Sequence, residues 1–317
     1  MTMLFMKKKY QLERFFVTWL MILFMILTDA FTAFAQVKQA TFLVNGISCD
    51  LEQGILKVEF VTPDVVRVQY TGENTFIGNG TDVCLPRAVD NPVRWVYTPN
   101  PDCYLLKSDS LIVRVDLSTA SITYLDKEGG LLLQEDQNIP RISEKRVTKQ
   151  VIYDEHSKHI EKTADGDKEI KNVLRYDTIG HTWKYRINFK WQPLEALYGW
   201  GAHMEDYMNL RGKELYLCQH NLKAMVPVLN STAGYGLLFD AGCAMMFKDN
   251  SEGSFVELEA AKQIDYYFMK GKTMDAVVAN YRLLTGNSPM MPLYLFGYIQ
   301  SKERYVSSDD LINTLKE

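Results

Sequence analysis

Apolar and polar positions alternate along much of the chain between residue 41 and about residue 270, which is the period-2 pattern of half-buried β-strands. The clearest example is WKYRINFKW at residues 183–191, where apolar side chains fall on one side and polar ones on the other. The alternation recurs in LKVEFVTPDVVRVQYTG and in LIVRVDLSTASITYLDKEGGLLLQ, whose DKEGG stretch has the composition of a hairpin turn. Many short strands joined by turns predict a mostly β protein, built as a β-sandwich.

One helix is predicted near the end of this region, over residues 274–285. Thr273 suits the N-cap, Asp275 suits the first turn, and Gly286 suits the position at which a helix ends. The shared apolar face of this helix is formed by Val277, Tyr281 and Leu284. Two prolines at positions 289 and 292 follow closely and indicate a domain boundary.

The last segment of the sequence has a different pattern. Leu293 to Ile299 is an apolar run with the length of a buried strand. After a polar loop, Ser307 and Ser308 precede two acids and an apolar spacing typical of a capped helix. The sandwich domain is therefore expected over residues 36–288, and residues 289–317 are expected to form a strand and the beginning of a helix, the first unit of an α/β architecture.

Residues 1–35 have the three features of a secretory signal peptide. A basic region contains Arg14 and three lysines at positions 7–9, an apolar run extends from Phe15 to Leu27, and Ala33-Phe34-Ala35 forms a cleavage site before Gln36. The competing interpretation is a membrane anchor, but Asp29 ends the apolar run short of the roughly 20 residues that a spanning helix needs. The sequence predicts a secreted or periplasmic protein with no stable membrane span after cleavage.

Charge and cysteine content narrow the classes of partner. Cleavage removes four basic and two acidic residues, so the 35 basic and 39 acidic residues become 31 and 37, a net charge of −6. No basic stripe remains for a nucleic-acid partner. The five cysteines are widely spaced and lack a Cys-x-x-Cys pair, which disfavours a disulfide framework and a zinc site, although a single bridge such as Cys84 to Cys103 stays open.

The most polar stretch is DEHSKHIEKTADGDKEIK at residues 154–171, with ten charged residues in eighteen. This composition is typical of a solvated hairpin tip or loop. Its His156-x-x-His159 pair resembles half of a metal site, but isolated histidines in such a run are usually surface residues. We assign no metal to this segment, and no cofactor to the chain.

No catalytic group is evident from motifs. The sequence contains no Gly-x-Ser-x-Gly, and YGWGAH lacks the third glycine of a dinucleotide loop and is expected to be a turn before a strand. Acidic residues lie close in sequence at three places: Glu205-Asp206, Glu257-x-Glu259 and Asp309-Asp310. Adjacent carboxylates diverge in a strand, and the last pair suits a helix N-terminus, so none is assigned as catalytic. The strand aromatics, including three tryptophans at 183, 191 and 200, are expected in the core rather than on a sugar-stacking platform.

Three segments carry a more specific signal: LYGWGAHMEDYMNLRGKELYLCQHN, VPVLNSTAGYGLLFDAG and IDYYFMKGKTMDAVVANYRLLTGNSPMMPLYLFGYIQSKERY. Their order and spacing resemble successive blocks of family-31 glycoside hydrolases, the α-glucosidases and α-xylosidases. The resemblance is close over residues 197–317 and loose over the strands from 41 to 190. It implies a secreted retaining α-glycosidase in which an N-terminal β-sandwich precedes a (β/α)8 barrel carrying two catalytic aspartates.

The resemblance also implies that this chain holds only the start of the barrel. Leu293 to Ile299 resembles the first barrel strand, and the helix after it resembles a partial first barrel helix. Such a barrel needs roughly 250 residues, whereas 25 residues follow Pro292. We therefore expect a truncated barrel that lacks the catalytic pair, and a chain that is inactive alone.

Three residues are candidates for contacting the sugar. Glu303 lies where family α-glucosidases commonly carry an aromatic residue at the pocket border, and KERY is more similar to the xylosidase-like branch, which leaves glucose and xylose open. His220 and Asn221 fall in CQHN, which matches a sandwich loop that reaches the pocket mouth in this family. The alternative is that both are ordinary surface polar residues.

Three functional hypotheses remain at this point. The first is the N-terminal part of a secreted α-glycosidase that hydrolyses α-linked glucosides or xylosides of oligosaccharides or polysaccharides. The second is a stand-alone secreted carbohydrate-binding β-sandwich, and the third is a structural or adhesive surface protein. The apolar run and partial helix after Pro292 favour the first, because a finished binding module has no use for them.

Overall fold

The structure is a computed structural model that describes residues 36–78, 83–85, 92–163, 166–299 and 304–316. The predicted signal peptide and the candidate residue Glu303 lie outside these residues. The chain divides into two compact units, the first ending at Thr285 and the second beginning at Gly286. No helix within the described ranges is long and apolar enough to cross a membrane.

The first unit is dominated by β-strands and ends with one α-helix. In chain order the strands are β1 (Val37–Phe42), β2 (Gly46–Leu51), β3 (Ile55–Thr62), β4 (Val65–Thr71), β5 (Trp95–Pro99), β6 (Cys103–Ser108), β7 (Leu111–Asp116), β8 (Ile122–Asp126), β9 (Leu131–Glu135), β10 (Arg141–Tyr153), β11 (His159–Thr163), β12 (Gly166–Ile170), β13 (Val173–Lys190), β14 (Leu197–Ala202), β15 (Glu214–Leu217), β16 (Ala224–Ser231), β17 (Tyr235–Phe239), β18 (Met245–Asn250), β19 (Gly253–Ala261) and β20 (Ile264–Lys270). The helix is α1 (Met274–Thr285), and a 3-10 turn spans Glu155–Ser157.

The strands form two large sheets. The eight-stranded sheet has the order β1-β2-β3-β4-β20-β17-β16-β14. The ten-stranded sheet has the order β15-β18-β19-β13-β9-β8-β7-β6-β5, with β10 paired to β13. Pairing is antiparallel in both, for example between β3 and β4 and between β18 and β19. The predicted hairpin turn joins β8 to β9, where Gly129 adopts a φ of 91° that favours glycine.

The two sheets pack face to face over one hydrophobic core. Strand β13 follows the predicted alternation, because its side chains from Trp183 to Phe189 are buried at every second position. Across the interface the rings of Tyr124 and Phe268 stack with centroids 4.0 Å apart. Buried side chains of both sheets belong to this cluster, which confirms a sandwich of β-sheets.

Helix α1 covers the outer face of the eight-stranded sheet. Strands β17 and β20 are consequently buried on both faces; the sequence of β17, YGLLF, is continuously apolar, and in IDYYFM of β20 Asp265 is the single charged residue. Val277 and Leu284 of the helix belong to a second apolar cluster with Tyr267 and Met269 of β20. The predicted bounds of the helix are confirmed, and the Thr273 hydroxyl accepts a hydrogen bond from the Ala276 N–H at 3.2 Å.

A buried ion pair lies inside the sandwich. The Glu135 carboxylate bonds to the Arg141 guanidinium and accepts from the Tyr266 hydroxyl and the Ile122 N–H, each at 2.9 Å. The Tyr266 proton is thereby committed to Glu135, so the Tyr124 hydroxyl donates to Tyr266 across 3.0 Å. Burial raises the pKa of Glu135, and Arg141 opposes that shift. The network ties the two sheets together through polar contacts.

Residues 144–182, which we call the arm, extend β10 and β13 beyond the body of the sandwich. From Val173 to Thr182, β13 pairs with β10 alone among the described strands, since its pairing with β19 begins at Trp183. The polar segment at 154–171 contains β11 and β12, which pair only with each other in the part of the chain that the structure describes. This confirms the predicted hairpin tip.

The second unit corrects one prediction. Leu293 to Ile299 does not form a strand; Leu293–Phe296 is a 3-10 turn in which the Leu295 N–H bonds to the Pro292 carbonyl at 3.0 Å. A barrel strand takes its hydrogen bonds from neighbouring strands, and no described strand pairs with this segment, so its backbone bonds locally. The expected helix is present as α2 (Ser308–Lys316), with the Ser307 hydroxyl accepting from the Asp310 N–H at 3.2 Å.

The cysteines are free thiols. Cys49, Cys84 and Cys103 are buried, while Cys218 and Cys243 are partly exposed. The bridge between Cys84 and Cys103 that the sequence left open is not formed. Burial raises the pKa of Cys49 to about 12, which keeps this thiol protonated and unreactive.

Candidate functional site

Strand β14 positions the candidate site through an unusual backbone. YGWGAH was expected to be a turn before a strand, but its first five residues lie within β14 itself. Gly199, Trp200 and Gly201 have φ values of 129°, 64° and 92°. A Cβ at Gly201 would lie 1.9 Å from the Ala224 carbonyl oxygen of β16, so the close approach of the two strands needs glycine here. Periodicity alone does not reveal a strand with this backbone.

Trp200 anchors this strand in the core. Its side chain is fully buried, with its ring centroid 5.7 Å from that of Phe239 and 5.9 Å from that of Phe247. Its carbonyl oxygen lies 2.7 Å from His203 Nε2. Because a carbonyl only accepts, Nε2 carries the hydrogen, and in the neutral tautomer with that hydrogen Nδ1 is an acceptor. The carbonyl of Trp200, whose backbone is left-handed, therefore orients the His203 ring.

Two loops follow: the 203–213 loop after β14 and the 218–223 loop between β15 and β16. An ion pair joins the two loops: Lys223 Nζ of the second loop lies 3.0 Å from Glu205 Oε1 of the first. The hydrogen bond from Lys223 lowers the pKa of the Glu205 carboxyl below its ordinary value. The second oxygen, Glu205 Oε2, is buried without a hydrogen-bond partner and lies 3.9 Å from His203 Nδ1.

The 218–223 loop presents both described candidate residues to solvent. His220 forms an isolated β-bridge with Lys223, which places Asn221 and Leu222 at the tip of a tight turn. The Gln219 side chain holds the turn, donating to the Lys223 carbonyl at 2.5 Å and accepting from the Met225 N–H at 2.9 Å. The structure thus brings His220 and Asn221 together on one exposed turn, a position suited to contacting a ligand.

A cavity of about 260 Å³ lies beside the 203–213 loop. It combines aromatic and aliphatic side chains with one imidazole, one carboxylate and glycine backbone. Its lining is formed by Tyr198, Gly199, Gly201, Ala202, His203, Glu205, Tyr207, Met208, Leu210 and Leu215. Sequence reasoning missed this cavity because its walls come from β14, the loop and β15, and no local motif marks it.

The acids grouped in sequence are engaged in structural contacts. Glu257 lies 2.6 Å from Lys184 Nζ, and Glu259 accepts from the Tyr216 hydroxyl at 3.3 Å. Asp309 and Asp310 occupy the first turn of α2, where the helix dipole favours negative charge. Among the acids grouped in sequence, Glu205 alone lines the cavity described above.

Metal-binding and stacking alternatives receive no geometric support. Within the described ranges, no group of three or more His, Cys, Asp or Glu side chains is placed to hold a metal ion. The ring of His159 instead lies 3.0 Å, through Nδ1, from the Ser157 carbonyl. The strand tryptophans at 183, 191 and 200 are buried, as expected for core residues.

Comparison with known proteins gives this fold a family. The sequence model of the glycosyl hydrolase 31 N-terminal galactose mutarotase-like domain matches residues 55–247, which is more than half of the chain. The chain belongs to this family. The matched residues run from β3 to β18 and include both loops of the candidate site.

Relatives of known name support the same assignment. The chain is 26% identical over 271 residues to an α-xylosidase of Saccharolobus solfataricus, a match that covers 83% of this chain and 32% of that protein. It is 28% identical over 141 residues to an uncharacterized family 31 glucosidase of Pseudescherichia vulneris, covering 44% of this chain and 26% of that protein. The chain therefore spans about a third or less of the length of these relatives.

Solved structures of family-31 enzymes share the fold. A soil-metagenome α-xylosidase complexed with xylose aligns with a TM-score of 0.64 at 20% identity, covering 88% of this chain and 39% of that chain. A Flavobacterium johnsoniae dextranase complexed with isomaltotriose aligns with a TM-score of 0.63 at 19% identity, covering 83% of this chain and 30% of that chain. At these identities the alignments establish the architecture of the family-31 sandwich.

Proposed function

We propose that this chain is the N-terminal domain of a retaining α-glycosidase that hydrolyses α-linked xylosides or glucosides of oligosaccharides or polysaccharides. The family match over residues 55–247 carries the proposal. The α-xylosidase relative and the α-xylosidase and dextranase structures support α-linked sugars as the substrate class. Both glucosides and xylosides remain within the proposed range.

In this proposal the sandwich contributes one wall of the substrate site through the 218–223 loop. His220 and Asn221 are exposed on a turn that Gln219 and the Glu205–Lys223 ion pair hold in place. Imidazole and amide groups donate to and accept from sugar hydroxyls, and a pre-formed turn loses little conformational entropy on binding. We assign them contacts to the sugar unit next to the one being cleaved, with Glu303 as a third candidate at the pocket border.

The same proposal places the protein outside the cytoplasm. Its basis is the sequence of residues 1–35, with its basic start, its apolar run and its Ala33-Phe34-Ala35 cleavage site. A secreted or periplasmic glycosidase acts on sugars outside the cytoplasm, which agrees with the proposed substrate class.

Catalysis is not assigned to the sandwich. A retaining glycosidase needs two carboxyl groups about 5–5.5 Å apart across the scissile bond. Glu205 is paired with Lys223, and Glu257 is paired with Lys184. Because each of these two glutamates is paired with a lysine, we assign neither to a catalytic pair.

The test is hydrolysis of p-nitrophenyl α-D-xylopyranoside and p-nitrophenyl α-D-glucopyranoside by residues 36–317. We expect release of p-nitrophenol at the rate measured without protein, because the proposed catalytic pair is not in this chain. Turnover that disappears in Glu205→Gln or Glu257→Gln would contradict the proposal and place catalysis in the sandwich. Binding of dextran with a Kd of about 1 μM, near −8 kcal/mol, would instead favour a stand-alone carbohydrate-binding module.

A further inference from the structure

The cavity beside the 203–213 loop contains two polar atoms whose hydrogen-bonding capacity is unused. His203 Nδ1 and Glu205 Oε2 are both buried and have no hydrogen-bond partner. The His203 side chain is only 9% exposed, and both residues line the cavity. Leaving buried polar groups unpaired is costly, so this pair indicates a missing partner rather than a stable end state.

The chemistry of the two atoms defines that partner. His203 Nε2 donates to the Trp200 carbonyl, so Nδ1 accepts in the neutral tautomer, and a carboxylate oxygen also accepts. The two acceptors are 3.9 Å apart, too far for a hydrogen bond to each other but close enough for one donor to reach both. The missing partner is therefore a hydrogen-bond donor.

Charge and coordination exclude two other partners, an ammonium group and a metal ion. Glu205 is already neutralised by Lys223 at 3.0 Å, so the site holds no unpaired negative charge for an ammonium group. A metal ion needs more ligands than one imidazole and one carboxylate, and no third His, Cys, Asp or Glu joins them in the described part of the chain. A neutral donor such as a hydroxyl group fits the two acceptors.

The rest of the lining suits a ring that carries hydroxyls on an apolar frame. Tyr198, Tyr207, Leu210 and Leu215 supply aromatic and aliphatic surface next to the two acceptors. A volume of about 260 Å³ falls just below the roughly 300–1,000 Å³ of pockets for drug-sized ligands, so a single sugar ring is a better match than an oligosaccharide.

We propose that this cavity is an accessory binding site for one pyranose unit, whose hydroxyls donate to His203 Nδ1 and Glu205 Oε2. The site is separate from the exposed turn at His220 and Asn221, and it rests on the proposed function only for the class of ligand. In this proposal the sandwich binds a sugar in its own cavity and also contributes one wall of the substrate site.

The experiment is a titration of isotope-labelled residues 36–317 with D-xylose and with D-glucose, followed by chemical shifts of the backbone amides. We expect saturable shifts for Ala202 to Leu210 with at least one of the two sugars. Tetrahydropyran, which has the ring but no hydroxyl donor, should produce none. Thermal unfolding of each variant described below shows whether it is folded at the titration temperature.

Two variants remove the acceptors. Glu205→Gln replaces a carboxylate oxygen by a donor group, and His203→Phe keeps a flat ring without nitrogen. Each should weaken binding about fivefold to tenfold, because each removes one hydrogen bond to the sugar. Asp206→Asn is the matched control: it makes the same chemical change at the next residue, whose exposed side chain does not line the cavity, and it should leave the Kd unchanged.

A third variant separates this inference from the proposed function. His220→Ala with Asn221→Ala removes the exposed contacts and should leave binding in the cavity intact. Binding lost in that double variant but retained in Glu205→Gln would overturn the accessory site and place the sugar on the turn. If neither sugar produced saturable shifts, the accessory site would be overturned as well, and water would be its occupant. The hydrolysis experiment would still test the proposed function independently.

Discussion

At the scale of single residues, the most demanding environment belongs to Glu135, whose carboxylate is fully buried between the two sheets. A buried charge is tolerated when it is paired and its remaining lone pairs accept hydrogen bonds. Arg141, Tyr266 and the Ile122 N–H meet that need. A substitution that removes one partner and leaves the other buried therefore lowers the free energy of unfolding.

Arg141→Met tests that dependence. We expect the free energy of unfolding to fall by about 3–5 kcal/mol at neutral pH, because an ionised Glu135 is left buried without its counter-ion. Chemical denaturation with urea measures the change. The second substitution Glu135→Leu in the same chain should recover much of the loss, since two apolar side chains then replace the pair.

Arg146→Met is the control for this prediction. Arg146 pairs with Glu144 on the same strand, β10, and both side chains are about half exposed. The urea midpoint of this variant should therefore stay unchanged. A loss for Arg141→Met no larger than that of the control would show that the buried pair contributes nothing to stability.

None of these residue-scale features was visible in the sequence. Glu135 ends β9 and Arg141 begins β10 of the same sheet, so the course of the short connection between these two strands brings them together. The candidate residues His220 and Asn221 came from a resemblance in sequence, whereas His203 and Glu205 stand out only through atoms that lack partners. Hydrogen-bond satisfaction is a property of three-dimensional surroundings, and one-dimensional spacing does not record it.

At the scale of elements, β14 is the strand that depends most on its glycines. Gly201→Ala should lower the free energy of unfolding by about 2 kcal/mol or more, because φ is 92° and the new Cβ would meet the Ala224 carbonyl at 1.9 Å. Urea denaturation measures this loss. It should be accompanied by amide shift changes in the 203–213 loop, whose start β14 fixes.

Gly180→Ala provides the comparison. Gly180 also lies in a strand, β13, but a Cβ there meets nothing within 4 Å and its φ is not in the left-handed region. Its substitution should change stability by no more than about 0.5 kcal/mol. Equal effects at the two glycines would mean that the backbone of β14 relaxes without cost.

Elements with their own local signals were predicted best. Helix α1 has a cap, an apolar face and a terminating glycine, and its predicted bounds are confirmed. The run from Leu293 to Ile299 has no such signals, since apolar content alone does not distinguish a strand from other structure. Its conformation depends on neighbours, and the prediction of a strand was wrong.

At the scale of the whole molecule, the apolar surface of the second unit should govern solution behaviour. Leu293 and Tyr298 are each 87% exposed, and Tyr294, Phe296 and Ile299 are exposed with them. Covering one such side chain is worth roughly 1.5–3 kcal/mol. We predict that residues 36–317 self-associate with increasing concentration, whereas residues 36–289 remain monomeric.

Size-exclusion chromatography with light scattering at several concentrations measures this difference. A version of residues 36–317 with Leu293→Ser, Phe296→Ser and Tyr298→Ser keeps the length while removing apolar area, and it should behave as the shorter chain does. Identical monomeric masses for the unsubstituted longer chain and the shorter chain at every concentration would show that the exposed segment drives no association.

The arm provides a position at which the molecule can be engineered away from its core. The arm residues of β10, from Glu144 to Tyr153, at about 3.3 Å each make a ribbon of roughly 33 Å, and the tip strands β11 and β12 pair only with each other among the described strands. A fluorophore, an epitope or a surface tether inserted between β11 and β12 would leave every core contact and the 203–213 and 218–223 loops in place. The proposed binding of saccharide can therefore be tested on an immobilised sandwich without attaching anything near the candidate residues of those loops.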